Sequence, residues 1–298
     1  MGLTRIALQI FEIVPNISEG GRAEVVDACV RSVENAGARV IHRTSDVVHN
    51  RSVITAVGSA AAVCDAGVAL AGAALENIDL RAHRGVHPRI GALDVLPFVP
   101  LSEATMQQAV DLARECARRI WETHHIPSFF YAEAAATALR RSLAHVRSGQ
   151  FEGLDTRFER PEWRPDVGDP RAHSSAGAIA IGARQILIAF NIELATGDLS
   201  VAKRLARAIR ESNGGFRTLK ALGLPLGEDV VQVSLNITDY CATPLARVVE
   251  TVRVLARDAG TEIRRCELIG CIPLAAVKRA ASFYLGAQIA TIEKDIAT

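Results

Sequence analysis

The stretch Arg39-Val-Ile-His-Arg-Thr-Ser-Asp-Val-Val-His-Asn-Arg-Ser-Val-Ile-Thr-Ala-Val57 decides how the first half of the chain is read. Its two ends, 39–43 and 52–57, carry strand patterns, and the polar residues between them read as a loop. Upstream, 5–11 is strand-like, and 22–35 sets Val26, Val30 and Val33 on one helical face before Gly37 stops it. Downstream come an alanine-rich helix at 60–75 and a buried strand at 92–99. The order is β-α-β-β-α-β, the split βαβ arrangement of the ferredoxin-like fold. A further helix at 103–121 places Met106, Ala109, Val110, Ala113, Cys116, Ala117 and Ile120 on one stripe, and a strand follows at 128–131.

Between 140 and 175 the character changes. Pro161, Pro165 and Pro170 interrupt a charged stretch of weak periodicity, which suits a linker or binding loop. Regular pattern resumes at Ala178. A strand is expected at 185–192, a helix at 199–212 ended by Asn213-Gly-Gly215, paired strands at 217–222 and 230–237, a helix at 244–257, a strand at 262–269 and a helix at 274–290. The second half thus repeats β-α-β-β-α-β. The expected fold class is α+β, with two such subdomains at 1–176 and 177–298, helices outside and a ligand cleft between them.

A chain of 298 residues accommodates two domains of this size, and 49% hydrophobic residues supply their cores. A formal charge of +1 argues against electrostatic binding to nucleic acid or an anionic membrane, and 5% aromatic residues against a base-stacking surface. No apolar run reaches the ~18 residues of a membrane span. The six cysteines are scattered without a C-x-x-C pair, mostly in apolar segments, and read as small core residues of a reduced protein. The first 20 residues lack a signal-peptide pattern, so a cytoplasmic location is expected.

Three polar clusters fall at strand ends or loops. Arg81-Ala-His-Arg-Gly-Val-His-Pro-Arg89 packs two histidines and three arginines immediately before the strand at 92–99, and Gly85 and Pro88 prevent a regular helix there. Val14-Pro-Asn-Ile-Ser-Glu-Gly20 is either a helix entry, with Ser18 and Glu19 as capping groups, or a ligand loop through Asn16. Ser45-Asp-Val-Val-His-Asn-Arg-Ser52 is either an ordinary turn or part of a site. If the loops meet, Asn16, Asp46, His49, Arg51, His87, Arg89 and Asp94 converge. A carboxylate beside an imidazole suits acid–base catalysis, and arginines suit substrate carboxylates. His83 and His87 are four apart, as metal ligands on a helix would be, but the loop cannot be that helix and no H-E-x-x-H or cysteine cluster accompanies them, so no metal is expected. His124-His125 reads as a helix-end pair. P-loop, G-x-G-x-x-G and G-x-S-x-G motifs do not occur.

These residues carry a family resemblance. Val14-Pro-Asn-Ile-Ser-Glu-Gly20, His49-Asn-Arg-Ser-Val53, Gly85-Val-His-Pro-Arg-Ile-Gly-Ala-Leu-Asp-Val95, Arg164-Pro-Asp-Val-Gly168, Ser175-Ala-Gly-Ala-Ile-Ala-Ile-Gly-Ala-Arg184, Leu187-Ile-Ala-Phe-Asn191, Gly214-Gly-Phe-Arg-Thr-Leu-Lys-Ala-Leu-Gly223 and Val231-Gln-Val-Ser-Leu-Asn236 resemble, in order, the glutamate formiminotransferase domain. The resemblance spans essentially the whole chain and leaves no room for the cyclodeaminase domain fused to some members. It implies formimino transfer from N-formimino-L-glutamate to N5 of tetrahydrofolate, a co-substrate, in histidine degradation. It also implies two ferredoxin-like subdomains with folate between them, and commonly a homodimer.

Carried over by position, the catalytic histidine is His87; Asp46 is the candidate for orienting it or for stabilising the amidinium, and Asp94 is the competitor. The implied folate segments are Gly168, Asp169, Pro170, Arg171, Ala172, His173, Ser174, Ser175, Ala176 and Gly177, and then Gly214, Gly215, Phe216, Arg217, Lys220 and Gly223. Backbone groups there would meet the pterin, and Arg217 and Lys220 the folate carboxylates. Asn16, His49, Arg51 and Arg89 are the substrate-binding candidates. Two departures stand out: Val86 occupies a position where the family usually has glutamate, and 169–173 differ from better-known members. The alternatives are formyl transfer between 5-formyl-tetrahydrofolate and glutamate, a folate-binding protein with little turnover, and a metal-dependent hydrolase using His83 and His87.

Overall fold

The computed structural model describes residues 8–289, so the strand expected at 5–11 lies partly outside the described residues, as does the end of the helix expected at 274–290. The chain divides into two units, Met1–Gln185 and Ile186–Thr298.

In the first unit, β1 (Phe11–Ile13) and β2 (Asn16–Ile17) form one strand line broken at Val14 and Pro15. Then come α1 (Ala23–Asn35), β3 (Arg39–Asp46), β4 (Arg51–Gly58), α2 (Ala60–Asn77) and β5 (Leu93–Pro100). β3 pairs β4, β4 pairs β1 and β2, and these pair β5, all antiparallel, which is the strand order of a βαββαβ unit. Ser59 accepts from Ala62 N at the start of α2. At the entry to α1, Glu19 Oε1 accepts from Gly21 N and Arg22 N, which fixes the loop ahead of the helix rather than capping its first turn. Ser18 instead donates to Gly91 O.

α3 (Met106–His124) opens with a capping box of Thr105 and Gln108 and buries the apolar stripe read from its sequence. It leads to β6 (Ser128–Ala132). The proline-interrupted segment is not a linker. It holds α4 (Leu143–Val146) and α5 (Leu154–Phe158), and Val146, Leu154 and Phe158 pack with Val95, Phe129, Ala178 and Ala180 on the sheet face away from α1–α3. Helices of four and five residues are too short to register as a 3.6-residue period. β7 (Ile179–Ala183) then inserts between β5 and β6, parallel to both. The first unit therefore runs to Gln185, and a boundary at 176/177 would strip a central strand from its sheet.

α2 is apolar and long enough, by length and composition, to cross a membrane, which corrects the expectation from apolar run length. Its Val63, Cys64, Ala66, Leu70, Ala71 and Ala74 are buried in the core of the first unit.

The second unit contains β8 (Ile188–Leu194), α6 (Leu199–Ile209), β9 (Leu219–Pro225), β10 (Val231–Ile237), α7 (Leu245–Asp258), β11 (Ile263–Ile269) and α8 (Leu274–Leu285). Its sheet order is β11-β8-β10-β9, antiparallel throughout. Ile188, Ile192 and Leu194 on β8 alternate into the same core as Val231, Val233, Leu235 and Ile237 on β10. Both units are thus α+β with one sheet each. Of the six cysteines, Cys29, Cys64 and Cys116 are buried, but Cys241 and Cys266 are exposed on the second unit, against the core reading.

Candidate active site

The three polar loops of the first unit meet, and Asn50 ties them together. Its Oδ1 accepts from Gly20 N at 2.9 Å, and its Nδ2 donates to Arg84 O at 2.7 Å. Asn50 sits in the β3–β4 turn at φ +48°, a conformation asparagine tolerates better than most residues. Gly85 makes the approach possible, because a Cβ there would stand 2.6 Å from His49 O.

His87 lies at the junction. Its Nδ1 is 2.7 Å from Pro88 O and 2.8 Å from Arg51 Nη1, while Nε2 has no hydrogen bond among the described residues. Arg51 Nη1 also donates to Asp94 at 3.2 Å, and its Nη2 donates to Asn16 Oδ1. Asp94 is 1% exposed, accepts from Ile90 N at 2.8 Å, and is paired by Arg147 as well. Burial alone would raise the Asp94 carboxyl, but Arg147, Arg51 and the Ile90 amide hold it below the usual range. His87 is pushed down to about 3, first by burial and then by the positive charges of Arg51 and Arg147. Its resting state is therefore the neutral imidazole.

Several expected roles change. Asp46 does not touch His87: its carboxylate holds His49, accepting from the backbone N at 2.8 Å and lying 2.9 Å from Nδ1. His49 in turn meets the His87 ring edge-on, 6.2 Å between centroids. The carboxylate linked to His87 is Asp94, acting through Arg51. Arg89 is not available to a substrate, since its fork is bidentate to Glu152 at 2.9 and 2.7 Å and its Nε donates to His83 Nδ1. His83 is buried, lies 3.0 Å from Asn50 O through Nε2, and is shifted down mainly by burial. Both side-chain ends of Asn16 are also engaged, with Val14 O and Arg51. Among the four substrate-binding candidates, His49 keeps a ring nitrogen without a hydrogen bond among the described residues.

The first implied folate segment, 168–177, lies beside this site. His173 and Gly177 exchange backbone hydrogen bonds, Leu80 N donates to Ser175 O, and Ala92 N to Ala176 O. His173 Nδ1 accepts from Ser175 N and Ala176 N, Ala172 N donates to Asp155, and Arg171 N to Asp169 O. The second segment belongs to the second unit. Gly214 closes a turn at φ +83°, and Arg217 and Lys220 are exposed. Gly223 has a packing reason of its own: a Cβ there would stand 2.4 Å from Lys203 N, so its absence lets α6 settle on β9.

Arg147 and its support were missed from sequence. Arg157 Nη1 donates to Val146 O and Ser148 O, the two carbonyls flanking Arg147. The Arg157 guanidinium stacks 3.5 Å over the Trp163 ring. Asn50 had a signal, an asparagine in a tight turn; Arg147 had none, being 53 residues from its carboxylate partner. Among the described residues no group of three or more metal-ligating side chains occurs.

Residues 10–184 match the N-terminal subdomain of the formiminotransferase domain, and residues 189–297 match the formiminotransferase domain. The chain is 39% identical over 290 residues to a glutamate formimidoyltransferase of Streptococcus pyogenes serotype M1, covering 97% of both chains. It is 40% identical over 284 residues to a glutamate formimidoyltransferase of Thermoplasma acidophilum, covering 93% of each. A formimidoyltransferase-cyclodeaminase of Gallus gallus is 37% identical over 286 residues, which are 93% of this chain and 52% of that protein.

Proposed function

The chain belongs to the formiminotransferase family, and from that membership we propose that it moves the formimino group of N-formimino-L-glutamate to N5 of tetrahydrofolate, with His87 as general acid and base. The observation that carries the assignment of His87 is its geometry: Nδ1 is anchored where three loops meet, and Nε2 is left to a substrate. A base needs its lone pair on Nε2, so in the working tautomer Nδ1–H donates to Pro88 O and Arg51 Nη1 turns to Asp94. N5 attacks the amidine carbon and forms a C–N bond. His87 Nε2 takes the N5 proton from the tetrahedral intermediate, then returns it to the glutamate nitrogen as the old C–N bond breaks. Such assistance is worth ~10²–10⁴ in rate, and holding both substrates together contributes a comparable or larger part.

Arg51, Arg147 and Asp94 are positioning residues in this scheme, and His49, oriented by Asp46, is the candidate contact for the donor. The 168–177 segment beside the histidine loop supports a folate contact there. A cytoplasmic homodimer that uses no metal belongs to the same proposal.

The test mixes purified protein with tetrahydrofolate and N-formimino-L-glutamate and follows 5-formimino-tetrahydrofolate and released glutamate. His87→Ala is expected to abolish turnover while tetrahydrofolate binding persists. Undiminished turnover in that variant would overturn the assignment.

A further inference from the structure

The first sheet carries a second polar cluster that the transfer chemistry above does not use. Strand alternation sends Phe11 and Ile13 of β1 into the core beneath α1–α3, so Glu12 points to the opposite face. Glu12 is 8% exposed, and among the described residues nothing donates a hydrogen bond to its carboxylate. Burial raises its pKa, with the charge of Arg184 only partly opposing. On β4, Val57 stands across from Glu12, and Thr55 follows two residues along on the same face. Thr55 Oγ1 is also buried and without a hydrogen-bond partner. Arg184, just after β7, lies near Tyr131, a buried residue of β6 on the same side of the sheet, and donates through Nη1 to Gln185 O.

Two buried polar groups left without partners on one face are costly unless something fills them, because folding strips their water and returns nothing. A carboxylate in that state matches a ligand edge that presents two parallel N–H donors. Position narrows the choice. Glu12 precedes Asn16 by four residues, about 13 Å at the rise of a strand, and Asn16 accepts from the arginine that touches His87. The donor amidine carbon must sit at His87, so its two nitrogens cannot reach that far. A tetrahydrofolate whose N5 meets His87 carries its 2-amino and N3–H groups at the far side of the pterin ring. With a hydrogen bond of about 3 Å at each end, the bicyclic ring and the side chains cover the interval.

We propose that Glu12, assisted by Thr55, is the specificity subsite for the aminopyrimidinone edge of the pterin. The carboxylate accepts from the 2-amino group and N3–H, and Thr55 offers its hydroxyl to the same ring. This rests on the formiminotransferase reading and names how the one-carbon acceptor is chosen.

The experiment measures tetrahydrofolate affinity calorimetrically, and KM for both substrates, in wild type, Glu12→Gln and Thr55→Val. A tetrahydrofolate analogue with methyl in place of the 2-amino group is titrated beside the parent. Glu12→Gln is expected to weaken tetrahydrofolate about 10- to 100-fold, the range for a hydrogen bond to a charged group, with the KM for N-formimino-L-glutamate unchanged. The analogue should bind wild type comparably weakly, and Glu12→Gln should no longer tell the two apart. Thr55→Val should leave the melting temperature unchanged or raise it, since it removes an unsatisfied hydroxyl, yet weaken tetrahydrofolate several-fold. Wild-type affinity in Glu12→Gln, a defect confined to the donor, or full discrimination by the variant would each overturn the subsite while leaving the activity intact. A wild type that binds no tetrahydrofolate would overturn the formiminotransferase reading, and the subsite with it.

Discussion

Replacing Asp94 by asparagine takes the negative charge out of a buried cluster that holds the guanidiniums of Arg51 and Arg147 and the His87 imidazole. The amide still accepts one hydrogen bond, from Ile90 N or from an arginine, but two buried cations then face each other without their counter-ion. Breaking a buried ion pair by removing one partner costs ~3–5 kcal/mol. The retained acceptor puts this case near the lower end, about 3 kcal/mol, which for a unit of this size is a fall of roughly 6–12 °C in melting temperature. Turnover should drop on the order of 100-fold, because Arg51, no longer drawn off by Asp94, then donates to Nδ1 of His87 and opposes the tautomer that leaves Nε2 as the base. Calorimetry and initial rates measure the two effects. The sign with pH is fixed: the folded-state pKa of Asp94 lies below the unfolded value of about 3.9, so its stabilisation is present above that pH and fades as acid is added below it. Wild type and Asp94→Asn should therefore converge in stability below about pH 4. Asp46→Asn is the control, since Asp46 is half exposed and pairs with His49 rather than His87, and it should cost no more than ~1 kcal/mol. An Asp46→Asn variant as destabilised as Asp94→Asn, or an Asp94→Asn variant that melts and turns over like wild type, would refute the reasoning.

Arg157→Lys keeps a charge but cannot both clamp the carbonyls on either side of Arg147 and stack flat on Trp163. It is expected to lower kcat roughly 10-fold with little change in either KM, an effect of misplaced Arg147 on the acid–base step; a pure KM effect would contradict that role. His87, held at about 3 in the folded chain against an unfolded value near 6.5, makes folding less favourable as pH falls through that window, by up to about 1.4 kcal/mol per unit. His87→Ala should flatten this acid-side slope in denaturant titrations. Val86→Glu adds a carboxylate beside the ring, raises the His87 pKa and moves the acid limb of kcat/KM upward, by less than about one unit because position 86 is 70% exposed. A downward move would contradict the sign.

The order β-α-β-β-α-β was legible twice over, because a 2.0- or 3.6-residue apolar period survives in any sequence that buries one face of a strand or helix. The loops that carry chemistry were legible too, since His83, His87 and Arg89 sit where Gly85 and Pro88 forbid a helix. The 140–175 segment was not legible, because α4 and α5 hold barely one turn each. The insertion of β7 between β5 and β6 is a choice among partners distant in sequence, and no local pattern records it. Charge pairing escaped for the same reason. Asp46 stands three residues from His49 and within the same motif as Arg51, yet it serves His49, while His87 is governed by Asp94 through Arg51 and by Arg147 from a segment that looked like a linker. Local periodicity and turn chemistry belong to neighbouring residues and are written in the sequence. Which buried charge meets which depends on strands and loops brought together across 43 and 53 residues, and only the tertiary structure decides that.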